Sequence, residues 1–196
     1  MTRGAEQDAA AIGPGAFVAV VGASGVGKDA LLQYAAGRLG DAGPLFVRRV
    51  ITRPAGPGEE HLAVSADEFA AAESAGAFAV VWRAHGTAYG IPADVDVQIQ
   101  RGGTVVANVS RAALAGLARR YADLRVVRIT VSPELRAARL ARRGREDAEG
   151  VAQRLARPDP APDFPVDLDL VNDGGIEEAG EVLAEFLRAT RSARAS

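Results

Sequence analysis

Unbroken apolar runs alternate along this chain with stretches whose apolar positions return every three or four residues. Residues 16–21 (AFVAVV) are apolar throughout, the pattern of a strand covered on both faces. Ala30, Leu31, Leu32, Tyr34, Ala35 and Leu39 then follow helical spacing up to Gly40, which leaves residues 22–29 as a glycine-rich turn from strand to helix. Further strand-like runs lie at 45–51, 77–82, 104–109, 125–131 and 168–171. Ser65 and Glu68 have the form of a capping box opening a helix over 66–75, and Pro92 suits the first turn of another that stops near Gly102. Ser110 is a candidate cap for the next helix. Ser132-Pro133-Glu134 supplies a cap, a first-turn proline and a favourable acid before a helix ending at Gly144. Residues 158–167 hold too many prolines for a helix, and the last helical pattern covers 176–189.

This alternation predicts an α/β domain of three layers with a largely parallel central sheet and ligands beyond the carboxyl ends of its strands. Residues 52–91 fit it poorly and read as a small inserted lobe, and 140–157 as a second excursion. At 196 residues the chain has the length of one domain, set at 16–189, with flexible ends at 1–15 and 190–196.

Composition narrows the chemistry. The formal charge is −2, with 24% charged and 48% hydrophobic residues, a balance that supports a packed core. With no cysteine and only His61 and His85, disulfides, thiolate metal sites, a cysteine nucleophile and a histidine cage are excluded. No apolar stretch reaches membrane-spanning length and the first residues lack the centre of a signal peptide, so the expected location is the cytoplasm, away from membranes. Of 23 basic residues only Lys28 is lysine. A compact ammonium and a flat guanidinium are not equivalent, so the position of that exception matters.

Lys28 closes Gly22-Ala23-Ser24-Gly25-Val26-Gly27-Lys28-Asp29, the G-x-x-x-x-G-K pattern of a phosphate-binding loop, placed between an apolar strand and a helix start. In such a turn, backbone N–H groups and the helix N-terminus face the phosphates of a nucleoside triphosphate, and the lysine reaches their β and γ oxygens. Asp29 stands where a hydroxyl usually holds Mg²⁺. An anion beside a triphosphate is tolerable with a cation between them, so Asp29 is the candidate Mg²⁺ ligand, the alternative being a helix-start acid.

Arginines crowd 135–157, among them Arg136, Arg139, Arg142, Arg143, Arg145, Arg154 and Arg157. A lid carrying such forks could neutralise a transferring phosphoryl group, although any single one of them also fits a solvated helix face. Arg48, Arg49 and Arg53, with His61, Arg83, His85 and Tyr89, could grip an anionic acceptor. Nucleic acid is a poor fit to a net acidic chain with 5% aromatics and no interleaved basic stripe.

Taken together, GASGVGKDALL, RRVITRP with GEEHLAVS after it, WRAHGTAYG at 82–90, SPELRAARLARRGRE and Asn172-Asp173-Gly174 resemble the guanylate-kinase-like P-loop kinases, most closely the branch that phosphorylates ribose 1,5-bisphosphate. The resemblance runs from about Phe17 to the last helix. It implies a three-layer P-loop kinase fold with a parallel central sheet, an acceptor-binding lobe and a lid. It implies ATP and Mg²⁺ as cofactors and a small phosphorylated sugar as acceptor, with 5-phosphoribosyl 1-diphosphate as product in phosphonate breakdown. The residues it implicates at ATP are Gly22 to Asp29 and Asn172, those in catalysis Lys28, Arg139, Arg143, Arg145 and Arg154, and those at the acceptor Arg49, Arg53, His61 and Tyr89. Guanine-reading positions of the family correspond to Val80, Ile91 and Ser110, two of them apolar; His61 replaces a tyrosine, Arg49 a small polar residue, and Gly56 an arginine. Two other readings stay open, a nucleoside monophosphate kinase and a noncatalytic binding module of the same fold. The oligomeric state is also open, a homodimer included.

Overall fold

The computed structural model describes residues 10–56, 60–84, 86–142, 155–156 and 161–192. In chain order these form β1 (Ala16–Val21), α1 (Lys28–Leu39), β2 (Leu45–Phe46), β3 (Val50–Ile51), β4 (Leu62–Ala63), α2 (Ala66–Ser74), β5 (Phe78–Ala84), β6 (Thr87–Pro92), α3 (Val95–Gln100), β7 (Thr104–Asn108), α4 (Leu114–Arg120), β8 (Leu124–Thr130), α5 (Pro133–Arg142), β9 (Leu168–Val171) and α6 (Ile176–Ser192). Short 3-10 turns follow α1 and precede α4.

The central sheet has five parallel strands in the order β2-β7-β1-β8-β9. All six residues of β1 are buried because both faces are covered. Phe17, Ala19 and Val21 pack with Val95, Ile99, Leu114, Leu117 and Tyr121 from α3, α4 and the residue after it. Val18 and Val20 pack on the opposite face with Leu31, Ala35, Leu183 and Leu187 from α1 and α6. The period-two alternation of β1 thus feeds two separate apolar layers, which explains an apolar run without polar interruptions. Helix α6 locks onto α1 at Gly180, where a Cβ would lie 2.2 Å from the Tyr34 ring. Beside that contact the Tyr34 hydroxyl donates to Glu181 at 2.8 Å, and Arg38 pairs with the same carboxylate.

A second sheet, β4-β3-β6-β5, forms the inserted lobe, with β3 and β6 antiparallel and β5 and β6 antiparallel. Helix α2 opens on the expected capping box: Ser65 accepts from the Glu68 N–H, and the Ser65 N–H donates to Glu68 at 2.7 Å.

Four boundaries depart from the sequence reading. The run 45–51 is not one strand: Leu45 and Phe46 pair with β7 in the central sheet, while Val50 and Ile51 pair with β6 in the lobe. The chain changes sheet over residues 47–49, a step that apolar periodicity does not register. Pro92 ends β6 opposite Phe78, a strand-end position where a missing N–H costs nothing, and the helix begins three residues later. Order starts before residue 16, since the Ile12 N–H donates to the Arg120 carbonyl at 2.8 Å and Ala122 donates back to Ile12 at 2.9 Å. At the other end α6 runs through Ser192. Most of the lid assigned to 140–157 lies outside the described residues, as do the tail from 193 and residues 1–9. Among the described residues, no helix is long and apolar enough to cross a membrane.

Candidate functional site

The carboxyl ends of three parallel strands of the central sheet bring the site together: β7 and β1, which are adjacent, and β9, which is separated from β1 by β8. Gly22 follows β1, Asn108 ends β7 and Asn172 follows β9. The loop from Gly22 to Gly27 requires glycine on two grounds. Gly22, Gly25 and Gly27 have φ of 148°, 92° and 92°, and a Cβ on Gly27 would lie 2.6 Å from the Asn172 amide nitrogen. Helix α1 then starts without a side-chain cap on its N-terminus.

Four carbonyls of this loop are occupied by side-chain donors. Lys28 Nζ donates to Gly22 at 2.8 Å and to Ala23 at 3.0 Å. Arg136 Nε donates to Ser24 at 3.1 Å. Val26 accepts from Asn172 Nδ2 at 2.8 Å and from Arg139 Nη1 at 3.3 Å, and Arg139 Nη2 also holds the Asn172 carbonyl at 3.0 Å. Each donor offsets the negative end of a peptide dipole, so the loop presents a net positive face to an anion. Gly25, Gly27, Arg139 and Arg142 line the open cleft above it. Burial, and secondarily the charge of Arg111, push the Arg136 guanidinium below its ordinary value.

Asn172 was expected at the nucleotide. It is 3% exposed, and its amide braces the Val26 carbonyl. Arg143, Arg145 and Arg154 lie outside the described residues, as does His85. Arg136 and Arg142, left undifferentiated among the arginines of this segment, turn out to flank the loop because α5 places positions 136, 139 and 142 within one stripe of its surface. Asn108 was missed altogether. Its signal was an amide closing the largely apolar strand TVVAN, at the end of the sheet where ligands bind.

Across α1, a groove is lined by Asp29, Arg48, Arg49, Glu60 and Asn108 over a floor that includes Leu32 and Val106. Asp29 Oδ1 accepts from Asn108 Nδ2 at 2.7 Å and from Arg49 Nη2 at 3.0 Å. Among the described residues no set of three or more histidines and carboxylates could cage a metal alone. A single carboxylate beside a polyphosphate loop fits Mg²⁺, which commonly takes one or two carboxylates and completes its shell with substrate oxygens and water.

The other expected acceptor residues occupy the lobe. His61 is 5% exposed, with Nε2 donating to the Arg53 carbonyl at 3.0 Å. Arg53 Nη1 donates to Pro54 at 3.1 Å. Tyr89 stacks on its cross-strand partner Trp82 with ring centroids 5.3 Å apart. Arg83 turns to Glu73 at 2.5 Å, outside this group. Val80 pairs with the fully buried Ile91, both against the core, and the Ser110 hydroxyl accepts from Ala112 N as a helical cap.

No family model matches the chain. The ribose 1,5-bisphosphate phosphokinase PhnN of Pseudofrankia inefficax is 59% identical over 176 residues, covering 90% of this chain and 92% of that protein. This chain belongs to the ribose 1,5-bisphosphate phosphokinase family. A second phosphokinase of that name, from a Chelativorans species, is 48% identical over 185 residues, 92% of this chain and 87% of that one. The phosphokinase fold is that of guanylate kinase: the crystal structure of guanylate kinase from Anaplasma phagocytophilum aligns with a TM-score of 0.66 at 20% identity, covering 90% of this chain and 86% of that one.

Proposed function

We propose that this chain, working in the cytoplasm, transfers the γ-phosphoryl group of ATP to the 1-phosphate of ribose 1,5-bisphosphate, giving ADP and 5-phosphoribosyl 1-diphosphate for phosphonate catabolism. An oxygen of the 1-phosphate attacks the γ phosphorus, the bond from that phosphorus to the β–γ bridging oxygen breaks, and ADP leaves with the electron pair. The attacking oxygen is already ionised at neutral pH, so no strong general base is required and positioning with charge neutralisation carries the rate.

The phosphate loop binds the polyphosphate, and Lys28 exchanges its carbonyl partners for β and γ oxygens. Arg139 neutralises charge at the loop, with Arg143, Arg145 and Arg154 assigned to the closing lid. Arg49, Arg53, His61 and Tyr89 orient the acceptor. Asp29 would hold Mg²⁺, which when bound screens the β and γ oxygens.

The observation that carries the sugar phosphate over a guanine nucleotide is the Val80–Ile91 pair. Neither side chain can hydrogen-bond a base, Ile91 is fully buried, and the hydroxyl of Ser110 is engaged in capping. A site that lacks a base's polar partners discriminates against it by orders of magnitude. The deciding experiment supplies ATP and Mg²⁺ with either ribose 1,5-bisphosphate or GMP and follows ADP. Turnover with the sugar bisphosphate is the expected result. Turnover with GMP alone would make the chain a nucleotide kinase, and ATP binding without turnover of either would make it a binding module.

A further inference from the structure

The Asp29 carboxylate joins three elements: α1, which carries it, β7, which ends in Asn108, and the crossing between the two sheets, which carries Arg49. Asn108 is 5% exposed and fixes the carboxylate through Oδ1. The Arg49–Asp29 ion pair is itself sheltered, its side chains 16% and 26% exposed, so water screens it less than a surface pair. The guanidinium assigned to the acceptor is therefore committed to a carboxylate one residue beyond the lysine assigned to the nucleotide. An acceptor phosphate that takes Arg49 must compete with Asp29, and whatever draws charge from Asp29 eases that competition.

We propose that Asp29 is a positioning residue that couples the two substrates: with the nucleotide site empty it withholds Arg49 from the acceptor, and engagement of its carboxylate by the Mg²⁺-nucleotide releases Arg49 to the acceptor phosphate. This rests on the functional reading above and adds to it a sign and a mechanism for substrate synergy. A carboxylate shared with a divalent cation attracts a guanidinium less, while the arginine fork is free to recover the lost contact on a phosphate. Linkage makes the effect reciprocal, so the acceptor must strengthen nucleotide binding by the same factor.

Calorimetric titration of the full chain with ribose 1,5-bisphosphate tests this, with and without a nonhydrolysable ATP analogue, in Mg²⁺ or in EDTA. In the wild type the Mg²⁺-analogue should lower the acceptor Kd about tenfold, and the analogue in EDTA should leave it unchanged. Asp29→Asn, which keeps the shape and removes the charge, should bind acceptor more tightly than wild type when no nucleotide is present and bring the coupling factor close to one. A merely structural tie predicts the opposite sign, weaker acceptor binding in Asp29→Asn with the coupling intact, and that result would overturn the proposal. Equal coupling in Mg²⁺ and EDTA would overturn it from the wild-type arms alone, whether or not the variant folds. Wild-type turnover of the sugar bisphosphate separates the two claims. If it occurs and the coupling is absent, only the coupling falls; if it does not occur, the functional reading falls and the coupling with it.

Discussion

Around the phosphate loop, four carbonyls are held by Lys28, Arg136, Asn172 and Arg139, whereas across α1 the arginine proposed for the acceptor, Arg49, is held by one carboxylate. The first half of the site is made of backbone. Its shape follows from positive φ at three glycines, and it rests on the ends of strands buried on both faces. The second half is made of side chains beside two-residue strands, Arg49 and Arg53 around β3 and His61 before β4, and of Tyr89 on the half-buried start of β6. Backbone geometry suits a ligand part common to all of its users, the polyphosphate. Side chains on a small lobe suit the part that differs between relatives, and they can change without disturbing the loop.

The sharpest test of this division is Lys28→Ala. It should reduce kcat by about 10³-fold, the scale set by removing a donor that neutralises developing charge, with the melting temperature nearly unchanged. Gly27→Ala should act through the backbone, costing about 2 kcal/mol of stability and abolishing nucleotide binding, because a Cβ there combines left-handed strain with a 2.6 Å approach to Asn172; denaturant melts and titration with an ATP analogue check both. On the acceptor side, Arg53→Lys should raise the acceptor KM about fivefold and leave the ATP KM alone, since an ammonium loses the bidentate fork. Equal shifts in both KM values would break the division. The smallest effect concerns the support of α1. Arg38, and after it Tyr34, hold the Glu181 carboxyl below its usual 4.5, so this contact stabilises the fold above that pH and is lost as pH falls through the lowered value. Glu181→Gln should lower the melting temperature slightly at pH 7, and the difference should vanish once the pH has fallen below that lowered value.

What could be read in advance follows the same division. The run 16–21, the turn 22–29 and the capping box at Ser65 were recognisable because each is local: strand burial, glycine requirement and cap chemistry are written in consecutive residues. The inserted lobe showed as a break in the alternation over 52–91, and the family likeness of several short motifs singled out Arg49, Arg53, His61 and Tyr89 for the acceptor. The change of sheet at 47–49 was not recognisable, because it depends on which distant strand each half of 45–51 meets. Asn108 was overlooked, and Arg136 was not singled out from its cluster, for a related reason. Their partners, Asp29 and Ser24, lie 79 and 112 residues away, and nothing local announces such a meeting.

Lys28 carries the one ε-amino group of this chain, and it sits on the carbonyls of Gly22 and Ala23. Amine-directed acylation thus becomes a footprint of a single side chain, read by mass spectrometry without installing any label. Protection of that amine on adding nucleotide reports occupancy of the pocket, and its pace with acceptor alone reports whether anything done on the far side of α1 reaches it.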